Sequence, residues 1–409
     1  MRKRIFVSTA LAVLIIAASA WAASAQIEPY QRVSIIQRPL LSVPAFVRAG
    51  DSFRIEFKQS AGAPVNVYVS PVGAIGVLKE LKFKTDPQAA GVLIADVPAD
   101  TQEALFDLAV EFSGGVTDTQ PHALKVVKEF KTEFDFIHIT DIHFFMREYA
   151  GRNANDIRIK LLKDIAQYKP EFVVFTGDLG LRPANYRRDY DFFYTSFMNF
   201  VNSPLFTVPG NHDEEILTTP QGVIDGKKFW AATFGPFYFS TDYGDVHIVG
   251  VNTHEWADKY REETPEMDKI GVGRTAVIGD DQWNWLKNDL RDATQAGKTP
   301  FVFTHIPVEF LQGGSKLGGD KIPGPSASQF IQLMSKAKTA GVFVGHVHFN
   351  SEKPLGNGGT MEIVTQGAGA DSEKSDDPHW GFRVVHVRDG KIMGYETHQA
   401  SFADIEKNQ

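Results

Sequence analysis

The chain has 409 residues, 43% of them hydrophobic and 22% charged, a globular composition with room for more than one core. It contains no cysteine, which excludes disulfides, thiolate nucleophiles, thiolate-metal sites and lipid attachment through an N-terminal cysteine. The formal net charge of -8 argues against a broad nucleic-acid-binding face, because a surface of that sign repels phosphate backbones unless bound metal reverses it locally.

Residues 1–4 read Met-Arg-Lys-Arg and an apolar run from Ile5 to Ala22 follows. Ala23-Ser24-Ala25 then supplies the small residues of a cleavage site, so residues 1–25 are expected to be a signal peptide and the mature chain to begin at Gln26. The run approaches the ~20 residues that span a bilayer, but its alanine content and the small-residue site favour cleavage over a retained anchor. A periplasmic or secreted protein without a stable membrane anchor is the expectation. Removal of Arg2, Lys3 and Arg4, with no acid among residues 1–25, takes the net charge from -8 to -11. A nucleic-acid partner is not expected, and a small phosphorylated substrate is compatible with that charge.

Residues 26–130 carry short apolar-alternating segments at Phe53 to Phe57, Val65 to Val69, Gly91 to Ala95 and Leu105 to Phe112. Turn signals at Ala49-Gly50-Asp51 and Gly114-Gly115 lie between them, which predicts a small all-β sandwich of the immunoglobulin or fibronectin kind. No His, Asp or Glu cluster with ligand spacing occurs there, so a structural or docking role is expected.

A boundary near residues 128 to 133 opens a second domain, residues 131–409, in which strands alternate with helical stretches as in an α/β fold. Helices are predicted over Asn155 to Tyr168, Asp281 to Ala293 and about Ala327 to Thr339, the last starting near Ser326. The Gly- and Pro-rich stretch Gln312 to Pro325 is expected to be a mobile loop. Five apolar strands run into a polar, chemistry-bearing side chain. Phe136 to Thr140 leads to Asp141 and His143; Phe172 to Thr176 leads to Gly177-Asp178; Leu205 to Val208 leads to Gly210-Asn211-His212-Asp213. Phe301 to Thr304 leads to His305, and Val342 to Val344 leads to Gly345-His346-Val347-His348. In open α/β sheets ligands bind outside the carboxyl ends of the strands, so the five loops are expected to converge. Taken singly, His305 would be an ordinary partly buried histidine and Gly177-Asp178 a common turn. The ordered set is much harder to reach by chance.

That set, Asp-x-His, Gly-Asp, Gly-Asn-His-Asp, a lone His and Gly-His-x-His, resembles the calcineurin-like metallophosphoesterase superfamily over about residues 134 to 350. The resemblance implies a four-layer α/β/β/α sandwich and two divalent metal ions. Asp141, His143, Asp178 and His348 would hold one ion, and Asp178, Asn211, His305 and His346 the other, with Asp178 bridging. Imidazole, carboxylate and amide oxygen suit zinc, manganese or iron. By the same resemblance His212 would contact the phosphate and assist the departing oxygen, as an imidazole titrating near ~6.5 can, while Asp213 orients it or supports the site from behind. His254 and His379 are further possible substrate contacts, or solvated loop residues.

Two departures narrow the resemblance. Purple acid phosphatases have glycine where this chain has His143 and a tyrosine where it has Leu181; protein Ser/Thr phosphatases carry Asp-Arg-Gly where it reads Asp178-Leu-Gly-Leu-Arg-Pro. Gln282-Trp-Asn-Trp285-Leu286 resembles a helix of the exported bacterial phosphodiesterase-like branch. The expected function is hydrolysis of a phosphodiester by a metal-bound hydroxide attacking in line. A phosphomonoesterase with the same site, or a binding and adhesion protein with a structural metal site, are the alternatives.

Overall fold

In a computed structural model, residues 28–407 are described except 147, 150, 263–271 and 371–377; the expected signal peptide lies outside the described residues. The N-terminal part forms an eight-stranded sheet in the order Ile36–Arg38, Ser52–Phe57, Val92–Asp96, Lys79–Thr85, Pro64–Pro71, Ala104–Phe112, Thr117–Val127 and Ala45–Arg48. Lys79–Thr85 pairs through Lys79 to Leu81 with one half and through Lys82 to Thr85 with the other, so the sheet folds over on itself. Ile55, Val67, Val69, Leu81, Leu93, Leu108 and Val110 fill the space between the halves, because alternate residues of a strand face one side.

The remainder contains two larger sheets. The first runs Leu205–Thr207, Val173–Phe175, Glu133–Ile139, Trp380–Arg388 and Lys391–Ala400. Its first three strands are parallel and its last two antiparallel. The second runs Phe239–Tyr243, Val246–Val251, Thr299–Thr304, Gly341–Val344, Met361–Val364 and Ser351–Pro354, with the middle four parallel.

Alternation along these strands sorts the apolar residues into layers. Phe136, Phe172, Val174, Phe301, Phe303 and Phe343 share the core between the two sheets, with the Phe136 ring edge-on to Phe303 at 5.7 Å and to Phe343 at 5.4 Å. Ile137, Ile139, Val173 and Phe175 face the other way, onto helices Asn155–Tyr168 and Tyr186–Phe200. Val249, Val302 and Val342 of the second sheet face helices Asp280–Gln295 and Ala327–Lys336. The architecture is therefore the four-layer α/β/β/α sandwich, with one apolar layer per interface.

The stretch Gln312 to Pro325 holds a two-stranded hairpin, Lys316–Leu317 with Asp320–Lys321, where a loop was expected. Its flanks are pinned by bridges between Ala276 and Leu311 and between Gln312 and Ser326. On either side of strand Ile36–Arg38, the chain runs along the α/β body. Arg32 and Val33 donate to the Ala232 carbonyl, Leu41 enters the helix-facing core and Val43 the intersheet core. No helix among the described residues is long and apolar enough to cross a membrane.

Candidate metal centre

The loops after Glu133–Ile139, Val173–Phe175, Leu205–Thr207, Thr299–Thr304 and Gly341–Val344 meet at the carboxyl ends of their strands. Asp141, His143, Asp178, His346 and His348 all have positive φ, between 40° and 71°. That backbone is sparsely populated for side chains with a Cβ and is held only where the surroundings enforce it. The surroundings here are adjoining loops at van der Waals distance. A Cβ on Gly210 would strike Asp178 Oδ1, and one on Gly345 would strike Thr140 Oγ1, which is why glycine precedes Asn211 and His346.

Two groups of donors result, Asp141 with His143 and His348, and Asp178 with His305 and His346, the ligand atoms of each lying within 4.8 Å of one another. His348 Nε2 is 3.1 Å from Asp141 Oδ1 and His143 Nε2 is 3.8 Å from it. Asn211 joins the second group, its Oδ1 3.1 Å from His305 Nε2 and 3.0 Å from His346 Nδ1. One oxygen lies between the groups: Asp178 Oδ2, in the second, is 3.3 Å from His305 Nε2 and also 3.4 Å from His143 Nε2 of the first. All seven residues named from the sequence are thus brought together, as two groups joined at a carboxylate.

Contacts behind the ligands fix their orientation. His143 Nδ1 donates to the Gly180 carbonyl at 3.1 Å and His305 Nδ1 to that of Thr176 at 2.6 Å, which turns each Nε2 toward the centre. Asp141 Oδ2 accepts from Thr140 Oγ1 and from the His346 N–H. Burial lowers the His143 imidazole to about 3 and that of His346 to about 4, keeping both neutral, the form that ligates. His305 is raised to about 9, because Asp178 and Asp141 outweigh its burial. Burial opposes ionisation of Asp141 and Asp178, but the surrounding imidazoles hold both carboxyls below their ordinary range. The donor set of imidazoles, carboxylates and one amide fits two adjacent divalent ions of borderline hardness.

His212 stands beside the centre, its ring edge-on to that of His143 at 5.4 Å and its side chain 35% exposed. Its backbone is clamped on both sides: the N–H donates to Asp178 Oδ1 at 3.0 Å, and the carbonyl accepts from the Tyr186 hydroxyl. Asp213 has a different task from orienting that ring. Its oxygens accept N–H bonds from Asp178, Leu179, Gly180 and Gly210 at 2.7 to 3.3 Å, plus the Tyr190 hydroxyl at 3.1 Å. It therefore ties two ligand loops together. Burial and the Asp178 charge raise its pKa to about 7, yet its four N–H donors match a carboxylate. The carboxylate beside His212 is Glu215, with Oε1 2.9 Å from Nδ1. Glu215 follows from no ligand spacing; its only trace in the sequence is an acid three residues past His212.

His254 is buried, its N–H bonded to Asn252 Oδ1 and its Nδ1 without a hydrogen-bond partner. Burial and the cations Lys227 and Arg261 hold it neutral. His379 is exposed, and its carbonyl accepts from Gln366; it does not join the cluster. Sequence reasoning also missed Glu214, whose fully buried carboxyl takes a bond from Asn252 and is raised to about 8 by burial. A cleft of about 570 Å³ lies among Thr299, Ala340, Met361 and Gly390, at the opposite ends of the strands, and is lined by no histidine.

Residues 134–350 match the family model described as calcineurin-like phosphoesterase. The chain is 28% identical over 295 residues to a protein from Bos taurus named serine/threonine-protein phosphatase CPPED1, covering 65% of this chain and 83% of that one. It is 37% identical over 86 residues to a probable cyclic nucleotide phosphodiesterase of Pseudoalteromonas, covering 19% of this chain and 30% of that one. Among solved structures it is similar to a purple acid phosphatase from yellow lupin, with 15% identity, a TM-score of 0.47 and coverage of 87% of this chain and 73% of that one. A dimetal phosphatase from Danio rerio gives 13% identity, the same TM-score of 0.47 and coverage of 66% and 99%. The matched stretch takes in more than half of the chain and all five ligand-bearing loops, and so the chain belongs to the calcineurin-like phosphoesterase family.

Proposed function

We propose that this protein is an exported hydrolase of phosphodiesters that works with two divalent ions, held by Asp141, His143, Asp178 and His348 on one side and by Asp178, Asn211, His305 and His346 on the other. The observation that carries this reading is the shared oxygen, Asp178 Oδ2, within 3.4 Å of one imidazole and 3.3 Å of another from opposite groups. Ions ~3.5 to 4 Å apart repel strongly unless an anion lies between them, and a bridging carboxylate answers that need. Bound there, the ions would supply Lewis-acid charge and an activated water.

The chain's own residues supply the rest. Asp141 and Asp178 are the only carboxylates in the two ligand groups, and Asn211 is neutral, so two divalent ions leave the centre net positive and attractive to a phosphate in an otherwise acidic protein. His212, partly exposed beside that centre, contacts the phosphate and delivers a proton to the departing oxygen. Export rests on the basic start, apolar run and Ala23-Ser24-Ala25 of the first 25 residues.

The diester preference draws on the missing Asp-Arg-Gly after Asp178 and on the name of the Pseudoalteromonas relative. The longer alignment, to a protein named as a phosphatase, favours a monoester as the second reading. A panel of aryl phosphate mono- and diesters, assayed at saturating metal, separates them. Faster turnover of diesters is expected, and faster turnover of the matched monoesters would overturn the preference.

A further inference from the structure

We infer that Phe145 and Phe349 form an aromatic rim on the metal centre that selects phosphoesters carrying a planar aromatic group. The inference rests on the phosphoesterase reading above and concerns the organic part of the substrate, on which the ligand residues are silent.

Large apolar side chains in the α/β part of the molecule are almost all covered. Among the described residues from 131 onward, only Phe145, Phe349 and Met393 are left exposed, and Met393 lines the cleft at the opposite ends of the strands. A single exposed apolar residue needs no explanation, but the two phenylalanines are not independent. Phe145 stands two residues after His143, and Phe349 directly after His348. Consecutive Cα atoms are about 3.8 Å apart, so neither phenylalanine Cα is more than about 8 Å from that of a ligand. The two histidines belong to the same donor group and their rings meet edge-on at 5.8 Å. Both phenylalanines therefore flank one group, from two different loops.

Phe145 is held there against its own preference. Its φ of 65° is an outlier for a bulky side chain and persists only where neighbours enforce it. Its N–H donates to Asn155 Oδ1 at 3.0 Å, Phe192 meets its ring edge-on at 4.9 Å, and the Arg188 guanidinium lies over one face, 4.1 Å from the centroid. Even so, 37% of Phe145 stays accessible, and 49% of Phe349 does. A ring already fixed and left uncovered loses little freedom when a second ring packs on it. On the side of the other group, the partly exposed Phe310 brings its ring edge-on to that of His346 at 6.3 Å, so aromatic surface borders both groups.

The occupant follows from what the two surfaces ask of one molecule. With two divalent ions bound, the centre attracts an anionic phosphoryl group. The rim beside it suits an uncharged flat ring, because aromatic rings pair in offset or edge-on geometries that aliphatic groups of the same size do not share. An aryl or arylmethyl phosphoester presents both, with the ring next to the ester oxygen. The rim takes no part in bond breaking; it sets affinity and the choice between esters.

The test measures binding instead of turnover, by calorimetry on the zinc-loaded protein with three phosphonates that are stable to hydrolysis: methyl-, benzyl- and cyclohexylmethylphosphonate. Methylphosphonate is too small to reach the rim and reports the metal centre alone. For wild-type protein, benzylphosphonate is expected to bind ~10-fold tighter than methylphosphonate, the scale of one aromatic contact, and tighter than cyclohexylmethylphosphonate. Phe145→Gly, which suits a positive φ, combined with Phe349→Ser should bring benzyl- and methylphosphonate within about twofold of one another, with metal content unchanged. Three results overturn the inference: equal binding of benzyl- and methylphosphonate by the wild type, equal or tighter binding of cyclohexylmethylphosphonate, or a benzyl preference that survives in the folded double variant. If wild-type protein holding two ions binds none of the three, the phosphoesterase reading itself fails and takes the inference with it.

Discussion

At the residue scale, most of the chemistry hangs on side chains whose environment is set by a few neighbours. Asp178 touches both donor groups through a single oxygen, so Asp178→Asn, which removes the charge and keeps the shape, is expected to lower kcat at least ~10³-fold, as loss of a bridging anion between two cations should. Circular dichroism would show whether the fold survives, and elemental analysis whether an ion is lost with the activity. His247 offers a second test, well away from the centre. Its Nδ1 is 2.7 Å from Asp242 and its Nε2 2.8 Å from Asp289. Burial opposes the charged ring, but the two carboxylates outweigh it and raise the pKa to about 9. A raised pKa contributes stability in full below the unfolded value near ~6.5 and loses it as pH rises through the folded value. His247→Gln should therefore lower Tm by several degrees at pH 6 and by much less at pH 10, in thermal scans at the two pH values. An equal loss at both would contradict a charge-based contribution.

At the element scale, the ligand loops are held by partners that come from elsewhere in the chain. Arg158, on helix Asn155–Tyr168 and fully buried, donates to the Ile142 carbonyl, between Asp141 and His143, and to that of Gly369, both at 2.8 Å. Arg158→Ala is expected to cost ~3 kcal/mol in urea unfolding, since it strands buried acceptors, and to weaken metal binding measured by chelator competition. Arg158→Lys should rescue little, because an ammonium cannot span both carbonyls. These partners also mark what the sequence did and did not disclose. Asp141, His143, Asp178, Asn211, His305, His346 and His348 were legible because each follows its own strand within a few residues, and strand ends are local signals. Arg158, Tyr186 and Glu215 were not, since their roles exist only once distant loops meet. Helix Asn155–Tyr168 follows from the local spacing of Ile157, Leu161 and Ile165, which it buries. Helix Tyr186–Phe200 went unread: it is dense in aromatic residues of modest helix propensity, and packing on the first sheet decides its conformation. Strand Lys79–Thr85 alternates charge with apolar residues and declares itself only by bridging the two halves of its sheet. Ala45–Arg48 pairs in parallel with Thr117–Val127, a contact too remote in sequence for a pattern to reveal.

At the scale of the whole molecule, the proposed centre sits on a seam. Asp141, His143, Asp178 and Asn211 follow strands of the first sheet, and His305, His346 and His348 follow strands of the second. His138 spans the same seam from within, bonded to Thr176 at 2.9 Å and to Thr365 at 2.7 Å. Ions bound there would fasten the two sheets at their carboxyl edges, so removing them should loosen the sandwich as well as stop turnover. Dialysis against a chelator is expected to lower Tm by several degrees and abolish hydrolysis, with both restored by zinc or manganese; binding at 1,000 times Kd is worth ~4 kcal/mol of folding stability. The central claim is that one carboxylate joins two ions into a single catalytic centre. Metal content and phosphodiesterase activity measured on the same samples of wild-type and Asp178→Asn protein test it most directly. Two divalent ions per wild-type chain, with fewer ions and collapsed activity in the variant, is the predicted result; full hydrolysis by a correctly folded Asp178→Asn protein would contradict it.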